Sequence, residues 1–287
     1  MVLLALLAAV TVTAKIDGFT QPCGMASSPA ALYADSYGTG VLNKIDPQTN
    51  RVVARRKVAS RPCGLAYGAG SVWVEDYGAN SIVRVSPATL KVQKRIVVGR
   101  YPWDVNYGLG AVWASNQRSS SVSRIDPRTN RVVKTIKVPG SPTCIRTGAG
   151  AVWVGLQSSN EIVRIDARTN RARAIAVGHG SELCVDPHDD GVWVSDDTNA
   201  SVTHLDPSGK IVATIAVGQR PADGTRGPDG LEWIPNLGDG TITRIDPVTD
   251  RVVDTLPGPT HPFVARTAFG SVWVGDFQGT TLWRLTP

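Results

Sequence analysis

Apolar and polar positions alternate along this chain in short runs, and the runs come in groups of four. Residues 102–138 hold one such group: PWDVNYG, GAVWASN, SVSRIDP and RVVKTIKV, each rich in β-branched residues and set apart by Gly, Asn, Asp or Ser. A period of two predicts strands with one face packed, not helices. The group itself recurs. Trp73, Trp113, Trp153, Trp193, Trp233 and Trp273 follow one another at 40-residue intervals, and Tyr33 fills the same slot one period earlier, which makes seven copies. Two further markers keep step: a lead-in that usually contains Pro, and a following RIDPxTNRVV, as in RIDPRTNRVV at 124–133 and RIDPVTDRVV at 244–253.

Four strands per repeat of about 40 residues predict an all-β chain folded as a seven-bladed β-propeller with four-stranded blades. The Trp falls on the second strand, where a large apolar ring fills the wedge between neighbouring blades. Asp46, Asp126, Asp166, Asp206 and Asp246 open the turn between the last two strands, and Asp-Pro suits the first two positions of a type I turn. Copy five has a turn one residue shorter and copy six one residue more before its Trp, so the register is kept. The last copy stops after three strands, at TTLWRLTP, while VTAKID at 12–17 aligns with VVKTIK at 132–137. The N-terminal strand is therefore expected to close the last blade and remove the exposed edge.

Composition adds little to this picture and takes nothing from it. With 287 residues, 19% of them charged, 29 Gly and 19 Pro, the chain reads as one continuous propeller over 15–287. Residues 1–14, MVLLALLAAVTVTA, are too short to span a membrane and end in small residues. They read as a signal peptide cleaved after Ala14, which implies a secreted, periplasmic or cell-surface protein. The net charge of +6 lies mainly on outer strands (Arg51, Arg55, Arg56, Lys57, Lys91, Lys94, Arg95), where it discourages edge pairing. Without aromatic interleaving it argues against nucleic acid, and a monomer is expected.

Cys23 and Cys63 share one slot in copies one and two, and Cys144 and Cys184 share the neighbouring slot in copies four and five. Near the axis adjacent blades come close enough for bridges Cys23–Cys63 and Cys144–Cys184. Against this, equivalent side chains in successive blades point the same way round the ring. The spacing matches no zinc motif.

The repeat VWVxxxxxxxVxRIDPxTNRVVxTIxVG resembles those of the YVTN family and of the virginiamycin B lyase (streptogramin lyase) family, over residues 21–287. Both are seven-bladed propellers. The lyase resemblance implies a Mg²⁺-assisted elimination that opens a cyclic depsipeptide, with a histidine base and with His and Glu on the blade lead-ins holding metal and substrate. It points to His261 as base, with His179 as a second catalytic or metal-binding group and Glu182 as a metal ligand. The family's Glu-x-His around the lead-in Pro is absent here: the lead-ins run Gln21-Pro22-Cys23, Arg61-Pro62-Cys63, Tyr101-Pro102-Trp103, Ser141-Pro142-Thr143, Ser181-Glu182-Leu183, Arg220-Pro221-Ala222 and His261-Pro262-Phe263. That departure favours a ligand- or protein-binding scaffold needing no cofactor over the lyase.

Loops from an outer strand to the next inner strand share one face with those between strands two and three, and binding is expected there. The candidates on this face are Tyr101, Trp103, Asp104, Asp223 and His261, with Asp35, Glu75, Asp76, Asn116, Asp196, Asp197, Asn236 and Asp276 after the second strands. Along strand one, Arg146, Asp186, Arg226 and Arg266 occupy the channel-facing slot, either as ligands for an anionic or peptide-like molecule or as an internal ion-pair network. His188, in DPHDDG at 186–191, reads as part of a tight turn on the opposite face.

Overall fold

The computed structural model describes residues 9–287, with residues 178–182 described by their backbone only. Seven four-stranded antiparallel blades ring a central axis, and no α-helix occurs among the described residues. Blade one is typical: Met25–Ser28 innermost, then Ala31–Ser36, Val41–Asp46 and Arg51–Lys57. Blades four and five are joined, because the outer strand of one continues as Ala172–His188 into the inner strand of the next. Blade seven is closed by Thr11–Asp17, which pairs antiparallel with Thr281–Thr286 from Asp17↔Thr281 to Thr11↔Thr286. Residues 11–14 thus belong both to this closing strand and to the expected signal peptide.

The tryptophans explain why the blades stack. All six, with Tyr33, are among the largest fully buried side chains. The arginine of the third strand, which opens RIDPxTN where that motif is complete, covers the indole of its own blade: Arg84, Arg124 and Arg284 lie 5.1, 5.1 and 4.9 Å from the ring centres of Trp73, Trp113 and Trp273. The same guanidinium then reaches the DPxTN turn of the next blade. Arg84 donates to Pro127 O and Asn130 Oδ1, and Arg124 to Ala167 O and Asn170 Oδ1. Arg284 does so to Pro47 O and Asn50 Oδ1 of blade one, which locks the ring shut. The turn asparagines suit this place because they tolerate a left-handed backbone, at φ 56° for Asn50 and Asn130. Blade five changes both partners together: His204 stacks on Trp193 at 4.2 Å and meets Asp250 at 2.7 Å.

Blade six departs most from the pattern. Its inner strand shrinks to Thr225–Arg226. The segment before it leans on blade seven instead, where Asp223 N donates to Phe263 O and Asp223 O accepts from Ala265 N.

Candidate functional site

The loop face converges on a hub braced by two covalent links. Cys23–Cys63 joins the lead-ins of blades one and two, and Cys144–Cys184 those of blades four and five, with Cα separations of 4.8 and 5.1 Å. Near-equivalent side chains meet because inner strands crowd at the axis. Cys23, Cys63 and Cys144, with Trp103, Asp104, Asp223 and Phe263, line a cavity of about 20 Å³, room for little more than one water.

Beneath the bridges lies a chain of charges. Arg146 donates to Asp104 Oδ2 on one side and to Asp223 Oδ2 on the other, and Arg266 also donates to Asp223 Oδ2. Arg146 belongs to blade four and Asp223 to blade six, so the contact is made across the axis. Four expected ligand-binding residues (Asp104, Arg146, Asp223 and Arg266) are therefore engaged with one another. Around them Asp35 and Glu75 are fully buried. Asp35 Oδ1 accepts from the backbone N of Cys23 and Gly24, and Glu75 Oε2 from that of Cys63. Among the described residues each leaves its second oxygen buried without a hydrogen-bond partner, as does Asp223 with Oδ1. Carboxylates outnumber guanidiniums here, and burial decides the outcome: it pushes Asp35 and Glu75 well above the usual carboxylate range and Asp223 up to about 8. Arg146 pulls Asp223 the other way, but Asp104 and Asp186 add to the rise.

Around the hub stand half-buried aromatic rings. Tyr77 meets Tyr101 edge-on at 4.6 Å and Trp103 at 6.0 Å; across the hub Phe277 meets Phe263 at 4.9 Å and Tyr37 at 6.0 Å. Arg118 lies 3.8 Å over the Tyr101 ring. Beside them a cleft of about 270 Å³ opens between blades two and three, lined by Ser60, Arg61, Tyr77, Gly78, Asn80 and Tyr101. Residues three positions after the Trp hold the lead-ins in place: Ser60, Gly99 and His261 donate their backbone N to Asp76, Asn116 and Asp276. The His261 imidazole is half-exposed, its Nδ1 3.7 Å from Asp276 Oδ1. The side chains of His179 and Glu182 lie outside the described residues.

At the other end of the channel the structure assembles a group that the sequence reading splits up. Asp186 and His188 alternate onto one face of the inner strand of blade five, and Glu232 opens the strand Glu232–Asn236 of blade six. His188 Nε2 is 2.8 Å from Asp186 Oδ2 and 3.5 Å from Glu232 Oε2. His188 is thus more than a turn residue. Arg226, grouped in the sequence with Arg146 and Arg266, sits here instead: its Nε donates to Glu232 Oε2 at 3.0 Å and its two Nη to Asp190 at 3.0 and 3.2 Å. Burial, then the charge of Asp186, holds the Glu232 carboxyl well above its ordinary range, with Arg226 opposing. One signal in the sequence pointed to this group. The slot before the aromatic is apolar in six copies (Leu32, Val72, Val112, Val152, Val192, Val272) and charged only at Glu232.

No family model matches the chain, and no curated protein does. Solved structures do. A streptogramin B lyase superposes with a TM-score of 0.82 at 16% identity, covering 96% of this chain and 97% of that one. A catalytically inactive virginiamycin B lyase from Staphylococcus aureus, solved with quinupristin, gives 0.83 at 16% identity, covering 97% and 100%. The chain has a virginiamycin B lyase-like propeller fold. Hydrazine synthase of Kuenenia stuttgartiensis shares that architecture, at 0.81 and 15% identity over 92% and 95%. At such identities the likeness concerns the fold, and one architecture serving proteins with such different names leaves the activity to the site residues. The YVTN resemblance stays a reading of the repeats. The propeller core that these structures share is the scaffold on which the lyase-like lead-ins would have to be built. Here those positions carry two disulfides and an internal ion-pair chain. Among the described residues one group of three metal-ligating side chains is found, Asp186, His188 and Glu232, at the end away from the lead-ins.

Proposed function

We propose that this propeller is an exported binding module that takes a small molecule or peptide on its loop face, in the cleft between blades two and three. The observation that carries the reading is the half-buried pair Tyr77 and Tyr101 beside that cleft, with Arg61, Asn80 and Ser60 as polar groups along it. Rings held edge-on give a rigid apolar contact, and a few polar groups orient the ligand. The hub is a poor alternative, since its cavity admits about a water and its charges are already engaged. Two disulfides support an extracellular, periplasmic or cell-surface location. Among the described residues no helix is long and apolar enough to cross a membrane.

A thermal-shift screen of glycans, peptides and cell-wall fragments tests this. A saturable hit that Tyr77→Ala weakens at least about tenfold, the scale of one lost aromatic anchor, supports it; a screen with no hit, or a hit indifferent to Tyr77, overturns it.

A second reading, the lyase, draws on the shared fold and on His261, half-exposed on the same face beside Asp276. The described loop-face residues do not assemble a three-ligand metal site, so no metal step is derived for it. Its test is direct: elimination of a cyclic depsipeptide with added Mg²⁺, abolished in His261→Ala.

A further inference from the structure

We propose that Asp186, His188 and Glu232 form a binding site for a divalent first-row transition ion of the zinc class, clamping blade five to blade six at the turn-face end of the channel. One ligand atom from each residue lies within 4.8 Å of the other two. Donors on a common ion at about 2.1 Å stand about 3.0–3.4 Å apart, between cis-octahedral and tetrahedral spacing. The separations from His188 Nε2, 2.8 Å to Asp186 Oδ2 and 3.5 Å to Glu232 Oε2, bracket that range.

Two independent features point to a ligand. Glu232 is fully buried with Oε2 3.5 Å from His188 Nε2, and among the described residues its Oε1 has no hydrogen-bond partner. A buried carboxylate oxygen without a partner is costly, and an ion would satisfy it. The charges agree. Asp186, Glu232 and Asp190 set three carboxyl groups against the single guanidinium of Arg226, so the group is short of positive charge once its carboxyls ionise as ligands. Arg226 does not fill the site. It grips Glu232 from the side through Nε and Asp190 through both Nη, as an outer partner fixes a ligand's orientation.

The donor set selects the metal. One imidazole nitrogen with two carboxylate oxygens suits Zn²⁺ or Mn²⁺, whereas Ca²⁺ seeks six to eight oxygens. Asp186 and His188 are partly exposed, so water has access to complete the coordination and the ion has a way in. Blade six has the shortest inner strand, Thr225–Arg226, and no disulfide among its residues. A clamp here would brace the blade that has least of its own.

The test titrates the chelator-stripped full chain with Zn²⁺ alone and with Mn²⁺ alone, by calorimetry. The expected result is one ion per chain, weakened at least about tenfold in Glu232→Gln and in His188→Ala and unchanged in His261→Ala. Near-UV circular dichroism of the tryptophans checks each fold; if Glu232→Gln does not fold, His188→Ala decides. Bound Mn²⁺ should show one imidazole nitrogen coupling by electron spin echo, lost in His188→Ala. No stoichiometric ion, an ion retained by both site variants, or an ion lost in His261→Ala would each overturn the proposal.

Discussion

The two ends of the axial channel bury an excess of carboxylates and resolve it in different ways. At the loop-face end Asp35, Glu75, Asp104 and Asp223 are spread round the ring, and Asp35, Glu75 and Asp104 are each tethered by backbone N–H groups. Two guanidiniums are shared among them, and the remaining charge is removed by protonation, as the raised Asp35, Glu75 and Asp223 show. At the turn-face end Asp186 and Glu232 are gathered around one imidazole. Spread carboxyls with a cross-axis arginine make a closed strut; gathered carboxyls with a histidine make a ligand set. Similar residue types at similar strand positions therefore do different work according to which partner the ring geometry brings within reach.

The sharpest way to break this contrast is to remove the arginine at each end. Arg146→Met leaves Asp104 and Asp223 facing each other across a buried hub, and should cost about 3–5 kcal/mol, as expected for an orphaned buried charge. Arg226→Met removes a guanidinium that is one-fifth exposed and should cost no more than about 1.5–3 kcal/mol, the worth of a charged hydrogen bond. Urea denaturation of both variants measures the difference. Equal losses would show that the hub strut is no more closed than the other end.

Next in size is the covalent bracing, which only the loop-face end has. Each bridge spans a sequence separation of 40, and replacing Cys144 and Cys184 together by Ser should lower stability by about 2–4 kcal/mol. The same change at Cys23 and Cys63 should fall in that range, since the loops are equal. Mass spectrometry of alkylated, unreduced protein first confirms the pairing. If reduction leaves the unfolding midpoint in place, the bracing is nominal.

How far the sequence disclosed these features depends on whether they repeat. The blades, the buried indoles, the ring closure and the slots of the four cysteines all follow from the 40-residue period, because a repeated residue meets its neighbours at the same place every time. The arginine–turn lock was visible as RIDPxTN, though not its reach to the next blade. The cross-axis strut was half visible: the strand alternation placed Arg146, Arg226 and Arg266 toward the channel, but not which carboxylate each would meet. The ring brings Arg146 of blade four to Asp223 of blade six, while the extra residue before Trp233 pairs Arg226 with Glu232 and not with its tryptophan, as Arg146 and Arg266 pair with theirs, so Arg226 leaves their slot. Glu232 is a single charged break in an otherwise apolar slot, and its partners, His188 and Arg226, come from strand positions that the repeat does not pair with it. Breaks in a repeat carry as much as the repeat does.

Smallest when read per step of its variable is the pH dependence of the hub. Asp223 sits at about 8 in the folded chain against 3.8 as its ordinary value. Between those values the folded state keeps a proton that the unfolded state has released, so stability is fully present below about pH 4 and declines as pH rises toward 8. One such group gives a slope of at most about 1.4 kcal/mol per pH unit. Asp35, Glu75 and Asp104 in the hub, and Glu232 at the other end, are raised first by burial and act with the same sign, so the share of Asp223 is read from its own variant. The turn aspartates Asp46, Asp126, Asp166, Asp206 and Asp246 are lowered by hydrogen bonds from their own turns and act with the opposite sign, but only as pH falls below about 4, outside this window. Asp223→Asn keeps a carbonyl for Arg146 and Arg266 but cannot titrate, so it should flatten the decline between pH 5 and 8 whatever it costs in absolute stability. Urea midpoints taken at half-unit intervals would show this. A wild-type profile that is level over that range, or a decline equally steep in Asp223→Asn, would mean that the hub carboxyls are ionised and that the strut, not protonation, holds their charge.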